Sequence, residues 1–282
     1  MKIIAVSTTF FPDENFLDKN FSVILKEIDK FIIVDNSENY CFNLLKNNDF
    51  LEIIYSKNFG VSGGLNIGIK RAIELDADFI ILFDQDSISG KGLIGSLLKA
   101  PGLVKGMVVV APNVFDKTTE TEIHSKFFGH GKSLNARYTH VNRTQTSGLL
   151  VPVGVFKNVG FFNENYFLDF VDTEWCRRVS KAGYRILIDK ESTLYHEFGE
   201  GEKKILYYNY KYGKPFREYY GARDTLYLLS ETSSSIKFKF KLFFRFFWSL
   251  FNICFLDQKI LRFSFFWRGV KHYLNGVRGK GL

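Results

Sequence analysis

Hydrophobic residues along the first 111 positions follow two alternating spacings. Short uninterrupted apolar runs predict buried strands, and between them apolar residues recur at the three- and four-residue spacing of helices. The predicted strands are Lys2–Thr8, Phe31–Val34, Leu51–Tyr55, Asp78–Phe83 and Met107–Ala111. The predicted helices are Glu14–Ile28, Phe42–Asn47 and Leu65–Leu75. Continuous apolar strands that alternate with helices predict an α/β fold, in which helices cover both faces of a mostly parallel sheet.

The pattern is less regular after residue 111. Predicted elements there are a strand over Thr144–Val153, a helix over Asp172–Ala182, strands over Arg185–Ile188 and Thr193–Tyr195, and a helix from Pro215 to about Leu229. The serine-rich stretch 231–235 reads as a linker. We therefore expect one α/β domain over 1–230, with halves 1–111 and 112–230, and a separate C-terminal segment over 236–282.

Charge is concentrated at the C-terminal end of the chain. The formal net charge is +8, yet residues 236–282 contain ten Lys and Arg and one acidic residue, Asp257. The same segment holds 11 of the 31 Phe and two of the three Trp. The rest of the chain is nearly neutral and has no basic stripe, which argues against a nucleic-acid-binding body.

The basic, aromatic segment predicts a helix at a membrane surface. Its longest uncharged apolar stretch, Phe246–Leu256, is 11 residues long, and about 20 are needed to span a bilayer. A helix that combines bulky aromatics with Lys and Arg lies in the headgroup region, with its cations on anionic lipid. The alternative is a helical hairpin that packs on the catalytic body or on a second subunit, as in a homo-oligomer.

The N-terminus and the cysteines indicate the compartment. The apolar run that begins at Met1 meets polar residues at Ser7, which is too early for a signal peptide. Three widely spaced cysteines fit a reducing environment and form no metal-binding pair. We therefore expect a cytoplasmic protein that is peripheral on the inner face of the cell membrane.

Three polar clusters follow predicted strands, at residues 7–9, 35–37 and 84–87. Ligands of open α/β sheets bind at the carboxyl ends of the strands. Asp84 and Asp86, one residue apart after a buried strand, offer the hard oxygen ligands that Mg²⁺ or Mn²⁺ prefers beside a substrate phosphate. The alternative is that Asp86 or Ser87 caps a helix near Gly90.

The glycine-rich stretch Gly60–Gly68 matches neither the P-loop spacing nor the dinucleotide-binding spacing. A P-loop kinase and a dinucleotide dehydrogenase are therefore disfavoured. A plain turn between a strand and a helix is the simplest explanation of these glycines.

In their order and separation, five blocks resemble the nucleotide-sugar glycosyltransferases of family 2, which have the GT-A fold. Four of them are Ser7-Thr8, Val34-Asp35-Asn36-Ser37, the run Asn58-x-Gly60 to Gly64-x-Asn66-x-Gly68, and Asp84-x-Asp86. The fifth, over 160–178, is similar to the acceptor-side acidic motif of rhamnosyltransferases in that family, chiefly at Asp169-x-x-Asp172-Thr173-Glu174-Trp175. The resemblance covers residues 2 to 225.

The resemblance implies donor-side roles for the first half of the domain. Thr8 and Asp35 would hold the nucleotide base, with Asp35 accepting the imide N–H of uracil or thymine. Asn66 would line the nucleotide pocket, or else cap its own helix. Asp86 would bind Mg²⁺ or Mn²⁺ directly, and Asp84 partly through ribose or water.

The resemblance also implies a catalytic base at Asp172, where many members have Glu-Asp and this chain has Val171-Asp172. An inverting transfer needs one carboxylate to remove the acceptor hydroxyl proton. Asp169 is a rival for this role, and a helix cap is the structural alternative for Asp172.

Three further side chains take roles from the resemblance, each with a structural alternative. Trp175 would stack on the acceptor sugar or pack in the core. His196 would reach the metal or the diphosphate, or be structural. Arg223 would clamp the diphosphate, as planar guanidinium groups do, or lie on the surface of its helix.

Together these features imply an inverting, metal-dependent transferase. It would move L-rhamnose from dTDP-L-rhamnose to a polyprenyl-diphosphate-linked oligosaccharide in surface polysaccharide biosynthesis, as in O-antigen or capsule. UDP-galactofuranose or a UDP-hexose is the alternative donor. A catalytically silent nucleotide-binding scaffold at the membrane is a second alternative, although it would not need Asp84, Asp86 and Asp172 together. A nucleic-acid binder is suggested by the basic tail alone.

Overall fold

The computed structural model describes residues 1–38, 50–117, 120–122, 131–196, 199, 201–231 and 235–282, with the backbone alone for 18–22. The predicted helix Phe42–Asn47 and the centre of the predicted linker lie outside these residues. Packing divides the chain into a first unit, Met1–Asn163 with Asp172–Glu197, and a second unit, Glu164–Val171 with Phe198–Leu282.

The first unit carries the predicted alternation of strands and helices. Its elements are β1 (Ile3–Thr9), α1 (Glu14–Ile24), β2 (Lys30–Asp35), β3 (Leu51–Tyr55), α2 (Gly60–Glu74), β4 (Phe79–Asp84), β5 (Ile88–Ser89), α3 (Leu93–Leu97), β6 (Val108–Asp116), β7 (Lys132–Ser133), β8 (Tyr138–Val141), β9 (Leu150–Pro152), α4 (Val153–Val159), α5 (Val171–Lys181, from its second residue on) and β10 (Arg185–His196). The first four strand predictions hold to within a residue or two, because each strand is a nearly continuous apolar run.

The described strands of the first unit form one sheet in the order β3-β2-β1-β4-β9-β6-β10-β8-β7, with β5 paired to β10. Pairings β1–β2, β1–β4, β2–β3 and β6–β10 are parallel, and β9 joins β4 to β6 in antiparallel fashion. The register sets Thr9 opposite Asp35 and Thr8 opposite Asp84. The polar ends of three neighbouring strands therefore meet at one edge, and the α/β fold class is confirmed.

The glycine-rich stretch belongs to helix α2 and is not a turn. A Cβ on Gly64 would collide with the Thr8 side chain, and one on Gly68 would collide with Val6. These glycines therefore let α2 lie directly against β1. Tertiary packing here outweighs the low helix propensity of glycine, which made Leu65 the predicted start of the helix.

The predicted strand Thr144–Val153 is wrong over most of its length. Strand β9 covers only Leu150–Pro152, and helix α4 begins at Val153. Residues 144–149 are buried without being a strand, and Gly148 turns the chain at φ +77°. Burial and strand structure leave the same apolar pattern in a sequence, which explains the error.

The second unit consists of a hairpin and three long helices. Its elements are β11 (Gly201–Ile205), β12 (Tyr208–Tyr212), α6 (Arg217–Ser230), α7 (Ile236–Ile253) and α8 (Lys259–Leu274). Ala222 of α6, Ile253 of α7 and Phe266 of α8 form one buried cluster. The basic, aromatic segment is thus a pair of helices that packs on α6. Within the described residues, none of the helices is long and apolar enough to cross a membrane.

Replacing Gly269 with alanine is expected to lower the free energy of unfolding by about 1–3 kcal/mol. Gly269 of α8 lies against the backbone of Tyr219 in α6, so an added methyl group would collide with a carbonyl that cannot move aside. Gly221→Ala in α6 is the matched control, because open space surrounds it and alanine favours a helix by about 1 kcal/mol. Urea unfolding of both variants measures the difference, and an equally stable G269A would contradict the close packing.

Candidate active site

A buried polar cradle lies where β1 and β2 end. Asp35 Oδ1 accepts hydrogen bonds from Thr9 Oγ1 at 2.9 Å and from Ser37 Oγ at 2.8 Å. Asp35 Oδ2 is buried and has no hydrogen-bond partner among the described residues, and the same holds for the hydroxyls of Ser7 and Thr8. A buried acceptor without a partner costs about 1–3 kcal/mol. The arrangement therefore suits a ligand that brings its own N–H donors.

Two aromatic rings lie beside this cradle and were not predicted. Phe10 and Phe11 are 50% and 59% exposed, and their ring centroids are 4.7 Å apart. The Phe11 amide donates to Ser37 Oγ at 2.5 Å, which ties the rings to the residue that also bonds Asp35. Phe11 has a φ of +45°, a strained value for a bulky residue that functional sites often retain. Exposed rings next to unpaired acceptors can hold a planar polar ring.

A cluster of two carboxylates and an imidazole lies at the end of β4. The antiparallel pairing of β5 with β10 sets Ile88 opposite Tyr195, which brings the 84–87 turn beside His196. His196 Nδ1 lies 3.2 Å from Asp86 Oδ1, and His196 Nε2 lies 3.9 Å from Asp84 Oδ2. One ligand atom from each residue lies within 4.8 Å of the others. The sequence-predicted residues Asp84, Asp86 and His196 are therefore brought together.

The electrostatics of the cluster keep Asp86 ionised. Burial raises the pKa of Asp86, but the hydrogen bond and charge of His196 outweigh burial, so the pKa lies below its usual range. An ionised carboxylate keeps its lone pairs for a cation or a positive ligand group.

Buried hydroxyls support the cluster from behind. Ser147 Oγ accepts a hydrogen bond from the Asp84 amide at 3.2 Å and lies 2.6 Å from Ser87 Oγ. Ser87 Oγ in turn lies 3.2 Å from His196 Nδ1. Ser147 belongs to the segment wrongly predicted as a strand, so its contact with the cluster had no signal in the sequence.

The cluster has the chemistry of a divalent-cation site. Carboxylate oxygens are the donors that Mg²⁺ and Mn²⁺ prefer, and imidazole is a common further ligand of transition metals. Asp84 and Asp86 side chains are 32% and 48% exposed, so an ion and a phosphate can both reach them. The residues present therefore fit the predicted metal.

Asp172 and Asp169 differ in their surroundings. Asp172 lies in the first turn of α5, where its Oδ1 accepts hydrogen bonds from the Thr173 amide at 2.6 Å and from its hydroxyl at 3.2 Å. In the second unit, Asp169 Oδ1 lies 2.5 Å from Nη2 of Arg217. A carboxylate held by a guanidinium is a poor proton acceptor. The contact with Arg217 therefore makes Asp169 poorly suited to act as a base.

Two predicted contact residues have structural partners instead. The Trp175 side chain is 0% exposed, packs on Phe156 and Phe162 at 5.2 Å between ring centroids, and donates to the Gly160 carbonyl. Asn66 donates to the Phe162 carbonyl and accepts from the Phe162 amide, both at 2.9 Å. These contacts leave Trp175 without a face for a sugar and give Asn66 a structural role in place of the predicted one at the nucleotide.

Arg223 is neither at the surface nor aimed at an open site. It is 0% exposed inside the second unit and bonds Asp224 at 2.7 Å, the Gly279 carbonyl at 2.8 Å and the Tyr219 hydroxyl at 3.1 Å. Burial raises the pKa of Asp224 to about 7 in spite of the Arg223 charge. The C-terminal residues that follow α8 thus cover the guanidinium, and the predicted diphosphate clamp is not supported.

Two sugar transferases are similar to this chain in sequence. The chain is 29% identical to the dTDP-rhamnosyl transferase RfbF of Shigella flexneri, over 80% of this chain and 79% of the relative. It is 23% identical to the low-salt glycan biosynthesis hexosyltransferase Agl10 of Haloferax volcanii, over 60% of this chain and 59% of that protein. No protein-family model matches the chain.

Solved structures share the fold. GalNAc-T7, crystallised with UDP, GalNAc and Mn²⁺, matches with a TM-score of 0.58 and 10% identity over 86% of this chain, which spans 53% of that enzyme. S. aureus TarS 1–349 in complex with UDP-GlcNAc matches with a TM-score of 0.57 and 15% identity, over 88% of this chain and 72% of TarS 1–349. The chain therefore has the GT-A fold and is a glycosyltransferase, and in sequence it resembles a dTDP-rhamnosyl transferase.

Proposed function

We propose that the chain transfers L-rhamnose from dTDP-L-rhamnose to an acceptor hydroxyl, with inversion at the anomeric carbon. One observation carries this proposal: the register that sets Thr8 opposite Asp84 and Thr9 opposite Asp35 places a polar cradle and an acidic cluster at one sheet edge. A nucleoside diphosphate needs both, because its base seeks hydrogen-bond acceptors and its diphosphate needs a cation. The relative named a dTDP-rhamnosyl transferase favours this donor.

The base of the donor would bind over Asp35. The unpartnered Asp35 Oδ2 accepts the imide N–H of thymine, a charge-assisted hydrogen bond. Phe10 and Phe11 offer exposed rings for the flat base, and the buried hydroxyl of Thr8 gives a further polar contact. Uracil presents the same imide group, so these contacts admit a UDP-sugar as well.

Asp84, Asp86 and His196 would hold Mg²⁺ or Mn²⁺. A bound divalent ion neutralises the charge that develops on the leaving diphosphate, so no protein acid is needed there. Ser147 fixes the backbone of Asp84, and Ser87 fixes the imidazole of His196. These hydrogen bonds thus hold the metal-binding side chains in place before the nucleotide sugar binds.

Asp172 would act as the base. As the acceptor oxygen bonds to the anomeric carbon, the bond from that carbon to the diphosphate oxygen breaks, and the hydroxyl proton passes to the Asp172 carboxylate. The Thr173 amide and hydroxyl both bind Asp172 Oδ1, which orients the carboxylate.

Replacing Ser147 with alanine is expected to weaken Mn²⁺ binding by about 10- to 100-fold. The change removes the acceptor of the Asp84 amide and the partner of Ser87, but no metal ligand. Titration with Mn²⁺, followed by electron paramagnetic resonance, measures the affinity without requiring turnover. Ser192→Ala on β10 is the control, since it removes a buried hydroxyl bond to Asp189 away from the cluster. Equal Mn²⁺ affinity in both variants would show that Ser147 does not position the cluster.

The acceptor would be a polyprenyl-diphosphate-linked oligosaccharide at the membrane surface, in O-antigen or capsule assembly. Helix α7 supports this part of the proposal, because it buries one face against α6 and leaves the other aromatic and exposed. Phe240, Phe244 and Phe247 on that face are 69%, 64% and 51% exposed. Four cations and no acidic residue accompany them on α7, which suits anionic lipid. Binding of the intact chain to anionic vesicles tests this part.

A donor panel tests the reaction. We expect Mn²⁺- or Mg²⁺-dependent hydrolysis and thermal stabilisation with dTDP-L-rhamnose, and weaker effects with UDP-galactofuranose and UDP-hexoses. Preference for a UDP-sugar would change the proposed donor but not the proposed class of reaction. Stabilisation without turnover of any donor or acceptor would indicate the catalytically silent scaffold instead.

A further inference from the structure

We propose that the tip of the β11–β12 hairpin, Leu206 and Tyr207, inserts into the same anionic lipid surface as the exposed face of α7. This inference rests on the proposed membrane association and adds a second, separate element to it. The two elements would hold the second unit on the bilayer at two points, which fixes its orientation and not only its attachment.

The hairpin tip is unusual for a turn in water. The two residues between Ile205 and Tyr208 are large and apolar, and they are 62% and 99% exposed. Two-residue hairpin turns favour glycine, asparagine or aspartate, because a central residue needs a positive φ. Leu206 adopts a φ of +54°, which is strained for a leucine. A strained leucine and a fully exposed tyrosine at a turn do not stabilise the fold. Their presence indicates that they contact another molecule.

The hairpin packs against α7 beside the exposed aromatic residues of that helix. The Tyr208 ring packs on Trp248 at 5.2 Å between centroids, and its hydroxyl donates to Asn252 Oδ1. Behind the tip, a shallow apolar groove joins the two elements; it is lined by Leu206, Phe244, Phe247, Trp248 and Phe251. Tip and helix face are therefore neighbours on one continuous surface.

The positive charge of this surface favours anionic lipid as its binding partner. Strands β11 and β12 carry Lys203, Lys204 and Lys211 against Glu202, and Asp257 pairs with Lys203 at 3.5 Å; α7 adds four cations and no acid, so the surface is net positive. Lys and Arg close to an anionic bilayer strengthen binding to it. Tyrosine and tryptophan also favour the boundary between headgroups and acyl chains, since each ring has a polar tip. A second copy of the chain would bring the same cations against these and be repelled.

The double variant Leu206→Gly, Tyr207→Asn distinguishes the effect of the tip on vesicle binding from any effect on the stability of the fold. Glycine suits the positive φ at 206 and asparagine suits the turn, so we expect the Tm to stay level or rise. We expect its affinity for vesicles of phosphatidylcholine with about one third phosphatidylglycerol to fall tenfold or more, since two apolar side chains leave the contact. Val104→Asn with Met107→Asn is the matched control, because it removes two exposed apolar side chains, 72% and 55% exposed, from the first unit.

Sedimentation with vesicles, sedimentation velocity without them and donor hydrolysis give distinct outcomes. Weakened vesicle binding in the hairpin variant alone, with unchanged hydrolysis, supports the inference. If the hairpin variant binds vesicles as tightly as the native chain does, the inference is wrong, whereas the proposed membrane association of α7 is unaffected. No vesicle binding by the native chain overturns both. If the native chain is a dimer that does not bind vesicles and the hairpin variant is a monomer, this face is a subunit interface and the inference is wrong.

Discussion

Replacing Asp86 with asparagine is expected to lower kcat for sugar transfer about a thousandfold. The side chain keeps its size, but the cluster loses a negative charge and a proposed metal ligand, the carboxylate whose Oδ1 lies 3.2 Å from His196 Nδ1. A metal ion contributes several kcal/mol of charge stabilisation to a leaving group, and each 1.4 kcal/mol is about tenfold in rate. Steady-state kinetics with dTDP-L-rhamnose, together with Mn²⁺ affinity by electron paramagnetic resonance, measure both consequences.

The control for this variant is Asp76→Asn. Asp76 is exposed, lies at the other end of β4 and has a φ of +56°, which asparagine accepts readily. It changes the net charge by the same amount as Asp86→Asn and is expected to leave kcat and Mn²⁺ affinity unchanged. Native kcat together with native Mn²⁺ affinity in D86N would show that Asp86 has no part in binding the metal.

Replacing Asp172 with asparagine is expected to lower kcat by about 10²- to 10⁴-fold while the donor Kd stays the same. The amide cannot take the proton of the acceptor hydroxyl, whereas the proposed donor contacts, Asp35 and the acidic cluster, are unchanged in this variant. Single-turnover kinetics and donor titration separate the two effects.

Asp169→Asn distinguishes between the two candidate bases. Because Arg217 already holds the Asp169 carboxylate at 2.5 Å, we expect this variant to retain transfer within a few-fold of the native rate, with some loss of stability. A large loss in D169N with full activity in D172N would reverse the assignment.

The sheet edge could be predicted because its signals are local. Strands β1, β2 and β4 are apolar runs that end in polar residues, and parallel strands bring such ends together. Asp84 and Asp86 are neighbours in the sequence, so a cation site could be proposed from spacing alone. His196 is different: its place in the cluster depends on the pairing of β5 with β10, more than a hundred residues along the chain. Only the family resemblance indicated it.

The errors come from contacts that a sequence does not display. For Trp175 the sequence left both an acceptor contact and the core open, and the side chain is fully buried against Phe156 and Phe162. Arg223 could be placed on a helix, yet nothing local indicated that residues after α8 return to bond it through the Gly279 carbonyl. Ser147 was hidden because a buried irregular segment has the apolar pattern of a strand.

The central claim is that Asp84, Asp86 and His196 hold a divalent ion against the diphosphate of a nucleotide sugar. A crystal structure with dTDP and Mn²⁺, with data collected at the manganese absorption edge, tests it most directly. We predict one anomalous peak in contact with these three side chains and with a diphosphate oxygen, and the thymine over Asp35. Bound dTDP without a peak at the cluster, or a peak held by other residues, would contradict the claim.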